Sequence, residues 1–118
     1  MNEMWSLDAK TVSELFKKKE VSAIEIYNET VKRVEKINPK INAIVVDTFE
    51  YAKEVAQKLD KKLKEGEPLG KLAGVPVTVK VNTDQIGFAS TNGLRIQENL
   101  LAKKDSPVVN NLKKADAI

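Results

Sequence analysis

The chain of 118 residues contains no cysteine and no histidine. Without cysteine it can form neither a disulfide framework nor a thiolate metal site. Without histidine it lacks the most common zinc ligand and the side chain that most often moves protons near pH 7. Any acid–base chemistry must therefore fall to lysine, aspartate, glutamate or tyrosine, and we expect no metal and no cofactor.

A strong charge of one sign and long apolar runs are missing as well. The 20 basic and 17 acidic residues are interleaved along the chain, so we expect no nucleic-acid partner. The apolar runs are too short to cross a membrane, and we expect no membrane partner. The N-terminal residues lack the basic and apolar regions of a signal peptide. These features predict a cytoplasmic protein.

Hydrophobic spacing predicts a largely helical chain. With 42% hydrophobic residues, the 118 positions suit one small domain that buries a core. Apolar residues recur three and four positions apart, as they do along one face of a helix. The predicted helices cover about residues 8–19, 23–37, 48–65 and 107–115.

Several residues mark where these helices begin and end. Ser22 and Glu25 have the spacing of a capping box, in which each side chain bonds the backbone amide of the other. Pro39 is expected to end the second helix, because proline disfavours a helical residue before it. Asp47 is expected to open the third helix. Pro107 suits the first position of the fourth helix, where a missing amide costs nothing.

Carboxylates lie along the third predicted helix. Glu54, Asp60 and Glu65 are expected to face solvent. Lysines four residues away, Lys58 and Lys64, are the expected partners. This pattern is typical of a solvated helix face and does not indicate a binding site.

A β-branched run brings one lysine to the start of a turn-rich loop. Apolar and polar residues alternate in Val75-Pro-Val-Thr-Val-Lys-Val-Asn82, which predicts a half-buried strand over about residues 75–81. A lysine at this place can act as a proton-transfer base when burial or a neighbouring cation keeps it neutral. The pattern alone favours an ordinary exposed lysine at position 80, since lysines are rarely buried without a partner.

The segment 68–82, followed by Ser90-Thr-Asn-Gly93, resembles the N-terminal part of the amidase signature family. The family pattern is Leu-x-Gly-(Ile/Val)-Pro, three hydrophobic residues, Lys-Asp-Asn, and a loop rich in glycine and threonine. Asp105-Ser-Pro-Val-Val109 and residues 113–118 continue the match in order. Members hydrolyse amides or transfer amide nitrogen, among them the A subunit of the glutamyl-tRNA amidotransferase. The resemblance implies an α/β fold, to which residues 1–118 contribute N-terminal helices and part of a mixed sheet.

The resemblance also implies roles for Lys80 and Asn82. Lys80 would be the general base of a Ser–cis-Ser–Lys triad that cleaves a small amide substrate. Asn82 would hold the loop by hydrogen bonds, although the turn preference of asparagine explains it equally well. The two serines of the family lie in a Gly/Ser-rich segment beyond the last helix of this chain. We therefore expect the isolated chain to be inactive. The alternative hypothesis is a stand-alone, non-catalytic interaction module derived from an amidase.

Two positions depart from the family pattern. Val81 stands where many members have aspartate. Asp116 stands where the family has glycine, and we expect it to adopt the left-handed conformation and to affect folding rather than chemistry. Strand edges at residues 75–79 and 117–118 that lack partners predict that the chain self-associates or behaves as a loosely packed monomer.

Overall fold

The described part of the chain contains four α-helices and two compact units. The computed structural model describes residues 3–118. One unit comprises the chain up to Val77 together with Ala115–Ile118, and the other is Thr78–Lys114. The helices are α1 (Ala9–Lys17), α2 (Ala23–Ile41), α3 (Phe49–Lys64) and α4 (Pro107–Lys114), and short 3₁₀ turns lie at Met4–Ser6 and Arg95–Gln97.

The first unit contains the hydrophobic core. Helix α2 packs along α3 and against the 3₁₀ turn at Met4–Ser6. Phe16 and Ile26 are the largest fully buried side chains. Fully burying a side chain of this size contributes about 1.5–3 kcal/mol. The buried cluster consists of Val12, Phe16, Ala23, Ile26, Tyr27, Ala56, Leu59, Ala73 and Val75.

Two helix starts agree with the sequence. The Glu25 amide donates to the Ser22 hydroxyl at 3.2 Å, and the Ser22 amide donates to the Glu25 carboxylate at 2.8 Å. The predicted capping box is thereby confirmed. Helix α4 begins at Pro107, and the Val109 amide donates to the Ser106 hydroxyl at 3.3 Å.

The end of α2 was predicted wrongly. The helix continues through Pro39 to Ile41 and ends at Asn42, which has a left-handed φ of 48°. The restriction that proline places on its predecessor is a preference, and it does not end α2 here. The Asn38 side chain both donates to and accepts from the Ile44 backbone, each at 2.9 Å, and so fixes the turn that follows the helix.

Asp47 does not open α3, contrary to the prediction. The N-cap is Thr48, and its side chain makes no capping hydrogen bond. The preceding residues form an extended connector without an assigned strand, in which Val45 and Val46 are 62% and 50% exposed. Helix α3 therefore begins without a side-chain cap, and its packing against α2 stabilises it.

The predicted strand over residues 75–81 is not assigned as a strand in the part of the chain that the structure describes. In the first unit, the Ile118 amide donates to the Val75 carbonyl at 2.8 Å, and the Val77 amide donates to the Ile118 carbonyl at 2.9 Å. This alternation is the hydrogen-bond pattern of parallel strands. A strand needs a paired neighbour, and Ile118 supplies a single pairing residue.

The second unit is mostly loop. The Gly87 amide donates to the Ala102 carbonyl at 3.0 Å, and the Ala102 amide donates to the Phe88 carbonyl at 2.9 Å. An antiparallel bridge between Ala89 and Leu101 completes this contact. The long loop after Lys80 therefore folds back on residues 101–102.

Helix α4 buries a narrow face. Val109 is 3% exposed, whereas its neighbour Val108 is 60% exposed. Adjacent residues point about 100° apart around a helix, so one narrow contact cannot cover both.

Candidate functional site

Lys80 lies at the beginning of the loop in the second unit, and its side chain is exposed. Its carbonyl accepts a hydrogen bond from the Thr83 amide at 2.9 Å, which closes a turn. The salt bridge within residues 78–114 joins Lys113 to Asp105, and Lys80 takes no part in it. A lysine base must be neutral and desolvated. The second unit alone does not desolvate Lys80.

Asn82 is exposed beside Lys80 in the sequence. Its side-chain oxygen accepts a contact from the Thr83 hydroxyl at 3.5 Å. Hydrogen bonds between hydroxyl donors and oxygen acceptors usually measure about 2.5–3.0 Å, so this contact is weak. The loop-holding role of Asn82 stays a prediction.

Two aspartates that the site prediction did not include shape the loop. The Asp84 carboxylate accepts a hydrogen bond from the Ser90 hydroxyl. The Asp84 carbonyl accepts from the Ser106 amide at 2.9 Å. The Asp105 carboxylate accepts from the Ile86 amide at 2.8 Å. These bonds tie the loop after Lys80 to the residues that precede α4. In the sequence, both aspartates could have been recognised as carboxylates beside turn residues. Their partners, however, lie too far along the chain to be inferred from spacing.

Asp105 also forms an ion pair with Lys113 on α4. The Lys113 ammonium donates to the carboxylate at 2.7 Å, and the two side chains are 29% and 17% exposed respectively. The hydrogen bond from the Ile86 amide, followed by that from Lys113, lowers the pKa of Asp105 below its ordinary value. Asp105 is therefore held as an ionised acceptor, which suits a structural role better than that of a proton donor.

All five serines lie within the described residues, and each hydroxyl makes a hydrogen bond that supports local structure. The partners are the Glu3 carbonyl for Ser6 (2.7 Å), the Lys71 carbonyl for Ser13 (3.2 Å), the Glu25 carboxylate for Ser22 (2.6 Å), the Asp84 carboxylate for Ser90 and the Val109 amide for Ser106 (3.3 Å). These contacts favour a structural role for all of them.

A cleft of about 260 Å³ lies in the first unit. Beside it, the Arg33 guanidinium stacks 3.8 Å from the centre of the Trp5 ring. Thr30 is the polar residue of the lining, and its hydroxyl already donates to the Ile26 carbonyl at 2.8 Å. The lining offers apolar contact but no acid or base. It consists of Met4, Trp5, Leu7, Ala9, Val12, Ile26, Thr30, Val75 and Pro76.

Within residues 3–118, no group of three or more carboxylates is placed to hold a metal ion. None of the helices in this range combines the length and the apolar character needed to cross a bilayer.

Comparison with known proteins identifies the family. The family model described as Amidase matches residues 25–118. The chain belongs to the amidase family. It is 40% identical over 116 residues to the A subunit of the glutamyl-tRNA(Gln) amidotransferase from Carboxydothermus hydrogenoformans, covering 98% of this chain and 24% of that protein. It is 37% identical over 115 residues to the indoleacetamide hydrolase of Bradyrhizobium diazoefficiens, covering 98% and 22%.

Solved structures of the amidase family share this fold. A bacterial aryl acylamidase of the amidase signature family matches with a TM-score of 0.91 and 29% identity, covering 95% of this chain and 24% of that one. The predicted fold class is confirmed, because the helices described above form a largely helical piece of an α/β amidase fold. The chain spans less than a quarter of the curated relatives named above.

Proposed function

We propose that this chain is the N-terminal part of an amide hydrolase or of an amidotransferase, and that Lys80 is its general base. The observation that carries the proposal is the family match over residues 25–118, which includes the run from Gly74 to Asn82. The relatives it resembles are named for amide chemistry: an indoleacetamide hydrolase, an aryl acylamidase and an amidotransferase. A small amide is the corresponding substrate class. The cytoplasmic location stays a prediction.

In the proposed reaction, neutral Lys80 accepts the proton of a cis-serine, which in turn takes the proton of a nucleophilic serine. The nucleophile attacks the amide carbonyl, ammonia or an amine leaves, and water hydrolyses the acyl-enzyme. Both serines belong to the Gly/Ser-rich segment that the family carries after the region matched here. Lys80 is exposed in the second unit, so in this proposal the desolvation that a neutral lysine requires falls to other parts of the protein.

The isolated 118 residues should lack amidase activity. Members of a catalytic triad act as a unit, so a lysine without its serines retains little of their combined effect. Ammonia release from glutamine and from indoleacetamide should equal that of a buffer blank. Turnover that disappears in Lys80→Ala would contradict this part of the proposal.

A chimera tests the role of Lys80 directly. This chain would replace the matching N-terminal part of the Carboxydothermus protein, and glutamine hydrolysis would be measured. We expect Lys80→Ala and Lys80→Arg to lower the rate by roughly 10³-fold or more, as removal of a triad member does. Lys103→Ala is the matched control, because Lys103 is exposed in the same unit. Its rate should be unchanged.

Two outcomes of the chimera experiment would redirect the proposal. Full activity in Lys80→Ala would show that another group is the base. A chimera that is folded by circular dichroism but inactive with Lys80 intact would favour the non-catalytic interaction module.

A further inference from the structure

Residues 70–77 lead to Lys80 and lie against the last residues of the chain. A Cβ atom on Gly70 would clash with the carbonyl carbon and oxygen of Ala115, so the two backbones are in direct contact. The Leu72 amide donates to the Ala115 carbonyl at 2.9 Å. Only glycine permits this approach at position 70.

Helix α1 supports the same segment from the core. Gly74 has a φ of 81°, and a Cβ on it would lie 3.0 Å from the Phe16 ring, which is completely buried. The Ser13 hydroxyl donates to the Lys71 carbonyl at 3.2 Å. Residues 70–77 are therefore packed on one side by the core.

Asp116 binds the segment from another side. Its φ of 62° is left-handed, a conformation that glycine adopts more easily than aspartate. Its carboxylate accepts a hydrogen bond from the Gly70 amide at 2.6 Å. Both carboxylate oxygens also accept from the Lys62 ammonium of α3 at 2.8 Å. The Asp116 and Lys62 side chains are 14% and 29% exposed, so solvent screens this pair only partly.

We propose that the carboxylate of Asp116, with Lys62 as its counter-ion, locks residues 70–77 to α3. The lock compensates for placing aspartate where the family pattern has glycine. Its consequence for catalysis rests on the proposed function, because Lys80 follows Val77 by three residues. The lock itself does not depend on any activity.

The substitution Asp116→Gly tests the proposal, because the two possible roles of Asp116 predict different changes in hydrogen exchange at Gly70. Glycine relaxes the backbone at position 116, so a purely conformational role for this residue predicts unchanged or slower hydrogen exchange. Loss of the lock predicts that native-state exchange of the Gly70 amide accelerates about 10- to 100-fold, the effect of losing a hydrogen bond to a charged group. The Ala56 amide in α3 should keep its exchange rate, because the opening is local.

Two further variants keep the test decisive if Asp116→Gly folds poorly. Asp116→Asn tolerates the left-handed backbone and can still accept from Gly70, so a smaller acceleration is expected. Lys62→Met keeps the apolar stem and removes the ammonium, and it should also accelerate exchange at Gly70. The control is Lys58→Met, which breaks a 3.9 Å pair that is 78% and 67% exposed and should leave Gly70 unchanged.

Either of two results would overturn the lock. One is a Gly70 amide in Asp116→Gly that exchanges as slowly as in the parent chain. The other is an equal acceleration at Gly70 and Ala56, which would mean that Asp116 affects only global stability. Neither readout measures turnover, so this proposal and the assignment of Lys80 can fail separately.

Discussion

The Asp60 carboxylate on α3 accepts a hydrogen bond of 2.7 Å from the Ala23 amide in the first turn of α2. Its second oxygen accepts from the Ile24 amide at 3.1 Å. The Ser22 hydroxyl accepts from the following amide, that of Glu25. With the Ser22 amide, which donates to the Glu25 carboxylate, all four amides that a helix start leaves without internal partners are bonded, two of them by a residue 36–37 positions away in the sequence.

We predict that Asp60→Ala lowers the free energy of unfolding by about 1.5–3 kcal/mol, because two amides lose a charged acceptor beside a buried residue. Asp60→Asn should cost less, since its oxygen can still accept one bond. Urea denaturation followed by circular dichroism measures both.

The control for Asp60 is Glu54→Gln, which removes a carboxylate from the exposed face of the same helix. It should change the free energy by less than about 0.5 kcal/mol. Equal effects of Asp60→Ala and Glu54→Gln would show that the interhelical cap contributes nothing.

A second prediction concerns acid and Asp105. Because its pKa is lowered in the folded chain by the Ile86 amide and then by Lys113, the folded state binds this proton less readily than the unfolded state. The stabilisation is therefore complete above the ordinary aspartate value of about 3.9. It is lost as the pH falls from that value through the lowered one.

Asp105→Asn is the variant that measures this acid dependence. The parent chain should be more stable than Asp105→Asn at pH 6, and the difference should shrink steadily between pH 4 and pH 2. Thermal melts at each pH, with the Ile86 amide followed by NMR, provide the data. A difference that stays constant over this range would contradict the role of the ionised carboxylate.

A third prediction is that the isolated chain self-associates. Within the second unit Ile96, Leu100 and Leu101 are 91%, 64% and 57% exposed, and exposed apolar surface of this kind favours association. Ile118 already pairs with one edge of residues 75–77 and so leaves less free strand edge for a second copy. We therefore expect apolar contacts between copies to contribute to association in addition to any pairing of strand edges.

Sedimentation velocity over a wide concentration range tests self-association. We expect the sedimentation coefficient of the parent chain to rise with concentration and that of Ile96→Lys to rise less. Ile41→Lys is the control, since Ile41 is 62% exposed in the first unit. A compact monomer at every concentration would refute the prediction and would give the interaction-module hypothesis more weight.

Glu54 and Asp60 show when residue spacing predicts the partner of a carboxylate on a helix and when it does not. Glu54 pairs with Lys58 at 3.9 Å, four residues away as predicted. Asp60 was expected to do the same, but it caps α2 instead. Both carboxylates have lysines at suitable positions, and only the approach of a second helix distinguishes them.

The same contrast applies to the candidate site. The motif around Lys80 was enough to predict the family, because it is a run of local residue types. The hydrogen bonds of Asp84 and Asp105 join positions 6 to 22 residues apart, and no local pattern specifies them. The neutral state that a base requires depends on desolvation, which no residue type supplies by itself.

By itself the sequence determined that the four helices exist, though not where α2 ends or α3 begins, and it also determined the Ser22–Glu25 capping box, the start of α4 at Pro107 and the membership in the amidase family. These features depend on periodicity and on contacts within one or two turns, which the order of residues encodes directly. Only the tertiary structure decided that Asp116 joins Lys62 and Gly70 and that Ile118 pairs with Val75 and Val77. Those contacts form between segments more than 40 residues apart, where the close approach of two backbones determines which polar groups meet.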